Sequence, residues 1–221
     1  MGGGNSVFKR EDLEVYEACT CLSSAEVLEL YEKFTDLGGV RASDAESEGI
    51  ARGPGGSLIK ATGDGGTESS GSGGVKAPRD KIIEQPELRN NPFRVRLCEI
   101  FSSEPRDSST YGDLSFDEFV DLYNVMSPRA SKETKTQTAF RLYDFDGNGY
   151  LTHEDIAQLL KLLSTMKNQK MLFDKAEVKD IVDRVMRDCD IDGNNRLSYA
   201  EFSKVVGRIP DFTTKFVIYI Q

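Results

Sequence analysis

The sequence predicts an all-α protein made of two pairs of helical hands, and three observations lead there. Apolar residues recur at i, i+3, i+4 and i+7 in separate segments, the spacing of one helix face. Two acidic twelve-residue runs near the carboxyl end match position by position, and such segments flank both. With 221 residues and 38% hydrophobic content, the chain is large enough for one globular domain or two small lobes sharing a core.

The elements follow in chain order. Residues 1–22 form an amino-terminal extension opening MGGGNS, in which Gly2 and Ser6 fit the N-myristoylation pattern M-G-x-x-x-[ST]. One myristoyl chain binds a bilayer with K on the order of 10⁴ M⁻¹, and Lys9 and Arg10 add little charge. Reversible association with the plasma membrane from the cytoplasm is therefore expected. Ser23 and Glu26 make a capping box, after which Val27, Leu30, Tyr31 and Phe34 share one helix face. Residues 38–79 hold twelve of the 20 glycines and no aromatic residue. Such a stretch buries too little apolar surface to offset its chain entropy, so a disordered insertion is expected there. The segment from Pro92 to Phe101 reads as helix, with Pro92 near its first turn. Ile156, Leu159, Leu160 and Leu163 repeat the helical spacing. Val178, Ile181, Val182, Val185 and Met186 do so again, led by an Asp174–Glu177 cap.

The two acidic runs read DFDGNGYLTHED (144–155) and DIDGNNRLSYAE (190–201). Each has Asp at position 1, Asp at 3, Asn at 5 and Leu at 8. Matched runs of this kind between helices mark EF-hands. A hard dication needs six to eight oxygens, and alternate side chains at positions 1, 3 and 5 converge to supply them. The expected ligands are Asp144, Asp146, Asn148, the Tyr150 carbonyl and Asp155 in one loop. In the other they are Asp190, Asp192, Asn194, the Arg196 carbonyl and Glu201. Position 6 needs φ > 0, which Gly149 adopts freely and Asn195 at some cost, so a slightly looser second loop is expected. Position 12 differs: Glu201 can offer both oxygens, whereas Asp155 is one methylene shorter. The Asp144 loop is thus expected to hold Mg²⁺ at rest and the Asp190 loop to be the better Ca²⁺ sensor. Leu151 and Leu197 are expected to pair the loops through a short strand bridge.

Weaker echoes lie upstream. The run DSSTYGDLSFDE (107–118) keeps Asp107, Gly112 and Glu118, but Tyr111 replaces a short oxygen ligand. Ile83, Glu87 and Leu88 resemble the exit of a first hand whose loop the insertion has opened. The expected organisation is an interrupted, degenerate pair over 23–127, an ion-binding pair over 128–207, and a carboxyl-terminal apolar extension over 208–221. In that extension Phe216, Val217, Ile218, Tyr219 and Ile220 run consecutively, and two arrangements are expected for them: a tail lying in the groove until a target displaces it, or a permanently docked core segment.

Composition narrows the function. A formal charge of -9 argues against nucleic acid and suits cations or basic and apolar segments. Cys19, Cys21, Cys98 and Cys189 form no CxxC pair and His153 is the sole histidine, so zinc is not expected and reduced cytosolic thiols are. No phosphate loop, nucleophile elbow or triad spacing occurs, and no catalysis is assigned. His153 is read as a solvent-facing side chain. EF-hand pairs receive an amphipathic helix in an apolar groove, for which the candidates are Phe119, Leu122, Leu159, Leu160, Leu163, Phe202 and Val205.

The chain resembles the calcium- and integrin-binding protein family. The resemblance is carried by MGGGNS, by PELRNNPFRVRLCEIFSSEP (86–105), by LSFDEFVDL (114–122), by AFRLYDFDGNGYLTHEDI (139–156), by DIDGNNRLSYAEF (190–202) and by RIPDFTTKF (208–216). It covers essentially everything outside 38–79, and the Asp at position 12 of the third hand and the PDF-containing tail are family habits. It implies a myristoylated regulatory adaptor whose third and fourth hands carry Ca²⁺ or Mg²⁺. It implies, as partner, an amphipathic helix from the cytoplasmic segment of a membrane protein, either an integrin tail or a mechanotransduction channel subunit. A calcineurin-B-like regulatory subunit of an enzyme and a plain Ca²⁺ buffer are the alternative readings.

Overall fold

The computed structural model describes residues 8–41, 51–52, 58–61, 67–70, 74–165 and 173–212. Nine helices lie among them: α1 (Arg10–Cys19), α2 (Ser24–Asp36), α3 (Arg79–Ile82), α4 (Arg94–Phe101), α5 (Phe116–Met126), α6 (Lys132–Tyr143), α7 (His153–Thr165), α8 (Lys175–Cys189) and α9 (Tyr199–Gly207). The fold is all-α and of the EF-hand type, with a small sheet inserted. Contacts divide the described chain into two units. One holds the residues up to Asn90 with Arg94–Ser127, and the other holds Asn91–Phe93 with the residues from Pro128 onward.

In the amino-terminal unit, α2 starts where the capping box sets it. The Glu26 carboxylate accepts the Ser23 N–H at 2.8 Å, and Ser23 Oγ accepts from the Glu26 N–H. Val27, Leu30 and Phe34 are fully buried along its inner face. The Phe34 ring centroid lies 5.3 Å from Phe116 and 5.7 Å from Phe119, and that of Phe8 lies 5.2 Å from Tyr31. Truncating a ring so enclosed costs about 3–5 kcal/mol. Gly39 closes the turn after α2, where a Cβ would come within 2.4 Å of the Phe34 ring. The Arg41 guanidinium covers Phe8 at 3.8 Å.

The described part of the 38–79 stretch carries backbone pairing that the sequence reading did not expect, while residues 42–50, 53–57, 62–66 and 71–73 lie outside the described residues. Val40 and Val75 exchange backbone hydrogen bonds of 2.8 and 2.9 Å, and Ala77 and Leu114 exchange bonds of 2.8 and 3.1 Å. Between them lie β1 (Ala51–Arg52), β2 (Leu58–Ala61) and β3 (Thr67–Ser70), an antiparallel sheet in the order β1-β2-β3 with Lys60 opposite Glu68. The composition argument weighs side-chain burial, whereas strand pairing is satisfied by backbone groups that glycine and serine carry as well as any residue.

Both degenerate hands also differ from the sequence reading, the second only at its start, since Leu114 takes the bridging position of Leu151 and Leu197. Ala77 stands opposite Leu114, so the first hand exits into α3. Ile83, Glu87 and Leu88 lie beyond that exit. Glu87 instead accepts Lys33 Nζ at 2.7 Å and the Tyr123 hydroxyl at 3.2 Å, and Leu88 is core. The helix expected from Pro92 begins at Arg94 and ends at Phe101, so the second loop starts at Ser102 rather than Asp107. All four cysteines are free, and burial pushes the Cys98 thiol up to about 12.

In the carboxyl-terminal unit each helix again has its cap. Ser131 Oγ accepts from the Thr134 N–H at 3.0 Å, and Asp174 Oδ1 accepts from Ala176 and Glu177 at 2.8 and 2.9 Å. Val182 and Met186 are the buried residues of α8. Phe140 and Phe202 meet at 5.5 Å, joining α6 to α9.

Candidate metal centre

The two acidic runs form two clusters of the same design. Asp144, Asp146 and Asp155 bring carboxylate oxygens within 4.8 Å of one another, and so do Asp190, Asp192 and Glu201. Helix ends position them. Asp144 and Asp190 are the C-caps of α6 and α8, while Asp155 and Glu201 lie in the first turns of α7 and α9.

The first residue of each loop folds the backbone around itself. Asp144 accepts from the N–H groups of Gly147, Asn148 and Gly149 at 2.8, 3.1 and 2.9 Å. Asp190 accepts from those of Gly193, Asn194 and Asn195 at 2.8, 3.2 and 2.8 Å. Gly149 has φ +83° and Asn195 +61°, as position 6 requires. Asn195 nevertheless holds its bond as closely as Gly149 does, so the loosening expected at that position is not found. Asn148 and Asn194 turn their side-chain oxygens back onto the N–H groups of Tyr150 and Arg196 at 2.8 and 3.0 Å. The position-7 side chains meet across the loops, with the Arg196 guanidinium 3.8 Å over the Tyr150 ring.

The closing carboxylates are held at both oxygens. Asp155 accepts from Phe145 N–H at 2.9 Å, and from the N–H and hydroxyl of Thr152 at 2.9 and 2.7 Å. Glu201 accepts from Ile191 N–H at 2.8 Å, and from the N–H and hydroxyl of Ser198 at 2.9 and 2.7 Å. The Ser198 hydroxyl, then the Ser198 and Ile191 N–H groups, hold the Glu201 carboxyl down to about 2. Leu151 and Leu197 pair as expected, through bonds of 2.9 and 2.8 Å. Like charges this close repel by roughly 1 kcal/mol per pair in water, and several-fold more in a less polar setting. Carboxylates with an amide oxygen and a loop carbonyl make the hard oxygen donor set that suits Ca²⁺ or Mg²⁺. His153 lies at the surface, 4.0 Å from the Asp183 carboxylate.

An apolar cleft of about 210 Å³ opens in the same unit. Leu159, Leu160, Leu163, Phe202 and Val205 line it, as the sequence reading expects. Ile181, Val185 and Cys189 of α8 join them, unforeseen although the α8 periodicity marked the first two. Phe119 and Leu122 do not. Both are fully buried in the core of the other unit, where the same helical spacing serves packing. No helix of the described residues is long and apolar enough to cross a membrane. Gly2 and residues 213–221 of the apolar extension lie outside the described residues.

Comparisons with known proteins agree with this geometry. A family profile described as an EF-hand domain pair matches residues 133–207. Calcium and integrin-binding family member 2 of Drosophila melanogaster is 34% identical over 220 residues, spanning all of both chains. The protein of that name from Danio rerio is 32% identical over the same full span. Calcium and integrin-binding family member 3 of Homo sapiens is 29% identical, again end to end.

Proposed function

The chain belongs to the calcium and integrin-binding family, and from that premise we propose that it is a Ca²⁺-sensing adaptor whose carboxyl-terminal unit grips an amphipathic helix from the cytoplasmic segment of a membrane protein. One observation carries the reading: four ligand positions are next in sequence to residues of the cleft wall. Tyr143 precedes Asp144, Ile156 follows Asp155, Cys189 precedes Asp190 and Phe202 follows Glu201. An ion that draws these carboxylates together moves the ends of all four helices and with them the cleft. A ligand shifts an equilibrium only by its differential affinity for the two states, and this adjacency supplies a physical route for it. A Ca²⁺ buffer would have no use for such a coupling.

The names of the relatives favour an integrin tail as the helix. Mg²⁺ is the resting ion of the Asp144 loop in this reading, since Asp155 is short and Mg²⁺ keeps several of its own waters. Myristoylation of Gly2 supplies the reversible membrane contact.

The test is calorimetry with an integrin α-subunit cytoplasmic peptide, in Ca²⁺ and in chelator. Binding at least ~10-fold tighter in Ca²⁺, or about 1.4 kcal/mol, is expected, with the difference lost in Leu160→Asp. Equal binding in both buffers overturns the reading.

A further inference from the structure

The second hand repeats the internal bonds of the ion loops, and those bonds fix its register. In each ion loop the residue after the first ligand donates its N–H to the closing carboxylate: Phe145 to Asp155 at 2.9 Å, and Ile191 to Glu201 at 2.8 Å. Ser103 makes this bond to Glu118 Oε1 at 2.7 Å. The cap repeats as well, since Ser115 N–H donates to Glu118 Oε2 at 2.7 Å as Thr152 and Ser198 do to their carboxylates. Ser103 therefore stands at the second position, Glu104 at the third and Glu118 at the twelfth, although the intervening chain is longer than in the ion loops.

The third and twelfth positions are the carboxylate positions of Asp146 and Asp155, and of Asp192 and Glu201. In the second hand the corresponding carboxylates converge on one atom, Lys76 Nζ. It lies 2.9 Å from Glu104 Oε1, 3.5 Å from Glu118 Oε2 and 3.0 Å from Ser103 Oγ. Ser103 Oγ accepts a hydrogen bond from the ammonium, and the two carboxylates pair with its charge. The Lys76 side chain is only 7% exposed. Its placement follows from the backbone. Val75 is fixed to Val40 and Ala77 to Leu114, and in extended chain the residue between them points to the opposite face.

We propose that the Lys76 ammonium is the resident cation of the second hand, tethered where a dissolved divalent ion would otherwise sit. The amino-terminal unit then keeps its loop geometry whatever the Ca²⁺ level, and an incoming ion must first evict a buried, ion-paired lysine. The degenerate hand is an ion site satisfied from within.

The test uses the full chain with both carboxyl-terminal loops silenced by Asp144→Asn and Asp190→Asn, so that bound Ca²⁺ reports on the second hand alone and no target is involved. This parent should bind no Ca²⁺ by calorimetry and should melt at one temperature in chelator and in millimolar Ca²⁺. Adding Lys76→Gln should lower the melting temperature in chelator, create one Ca²⁺ site and restore the melting temperature when Ca²⁺ is present. Adding Glu118→Gln should then abolish that site. If the Lys76→Gln chain does not fold in chelator, folding on addition of Ca²⁺ supports the proposal and failure to fold overturns it. A folded Lys76→Gln chain that neither binds nor responds to Ca²⁺ overturns it, as does a parent that binds Ca²⁺ in a Glu118-dependent way.

Discussion

Leu197→Ala separates the contribution of a side chain from that of a backbone bridge. Leu197 is 3% exposed and sits at position 8 of the Asp190 loop, where its N–H and C=O pair with those of Leu151. Its side chain also forms part of the cleft wall. Alanine keeps both backbone bonds and removes three carbons. Leu→Ala at a packed site costs about 2–5 kcal/mol, the spread tracking the size of the void left behind. One side of Leu197 already faces a cleft of about 210 Å³, so little new void forms. The expected loss is therefore at the low end, about 2–3 kcal/mol. Urea denaturation in chelator, followed by hydrogen exchange of the α6–α9 amides, measures it. Calorimetry on the same variant should find ion binding at the two loops coupled to the same degree as in the parent, because the bridge survives. A folded variant that has lost this coupling, or a loss above about 5 kcal/mol, would refute the reasoning and place the coupling in the side chain.

Two further outcomes follow from particular residues. Asp155→Glu supplies the missing methylene, and competition calorimetry should show the preference of that loop for Ca²⁺ over Mg²⁺ rising about 10-fold, or about 1.4 kcal/mol. An unchanged ratio counts against the Mg²⁺ reading. Lys33→Met strips Glu87 of its cation. Burial works to raise the Glu87 carboxyl, but the hydrogen bond and charge of Lys33, a backbone N–H and the Tyr123 hydroxyl together outweigh it and leave the group below its usual value. A depressed carboxylate stabilises the fold above its unfolded pKa of about 4.3 and loses that contribution as pH falls through the folded value. The variant should lose about 2–3 kcal/mol at neutral pH, less than a fully buried pair because both side chains keep some water, and its acid limb should move to higher pH. An acid limb superimposable on that of the parent would refute the assignment.

The ion loops were legible because every requirement in them is local. Asp144 and Asp190 fold their own loops, Gly149 and Asn195 supply the positive φ, and Ser23, Asp174 and Ser198 cap helices through residues three places on. The degenerate hands were legible only in part: Glu118 stands at the twelfth position as read, but the start of that loop and the exit of the first hand were missed, because the residues that mark them are the ligands they have lost. The distant pairing of Ala77 with Leu114 reveals the exit of the first hand, and the Ser103–Glu118 bond reveals the start of the second. Phe119 and Leu122 carry the same periodicity as Leu159 and Leu160. Periodicity gives an apolar face, and the partner that covers that face comes from the tertiary fold. Lys76 reads as any lysine at the edge of a glycine-rich run until the fold brings Glu104 and Glu118 to it.

The Val40–Val75 bridge makes the intervening excursion a docking port of adjustable length. Chain leaving after Arg41 and rejoining at Gly74 does so between adjacent, hydrogen-bonded backbone positions. Doubling the length of chain between ends that are already joined adds only about 0.6 kcal/mol of closure entropy. A reporter peptide or a small foreign domain spliced there would ride on the protein at little thermodynamic expense, leaving the calcium-responsive half of the molecule as it was.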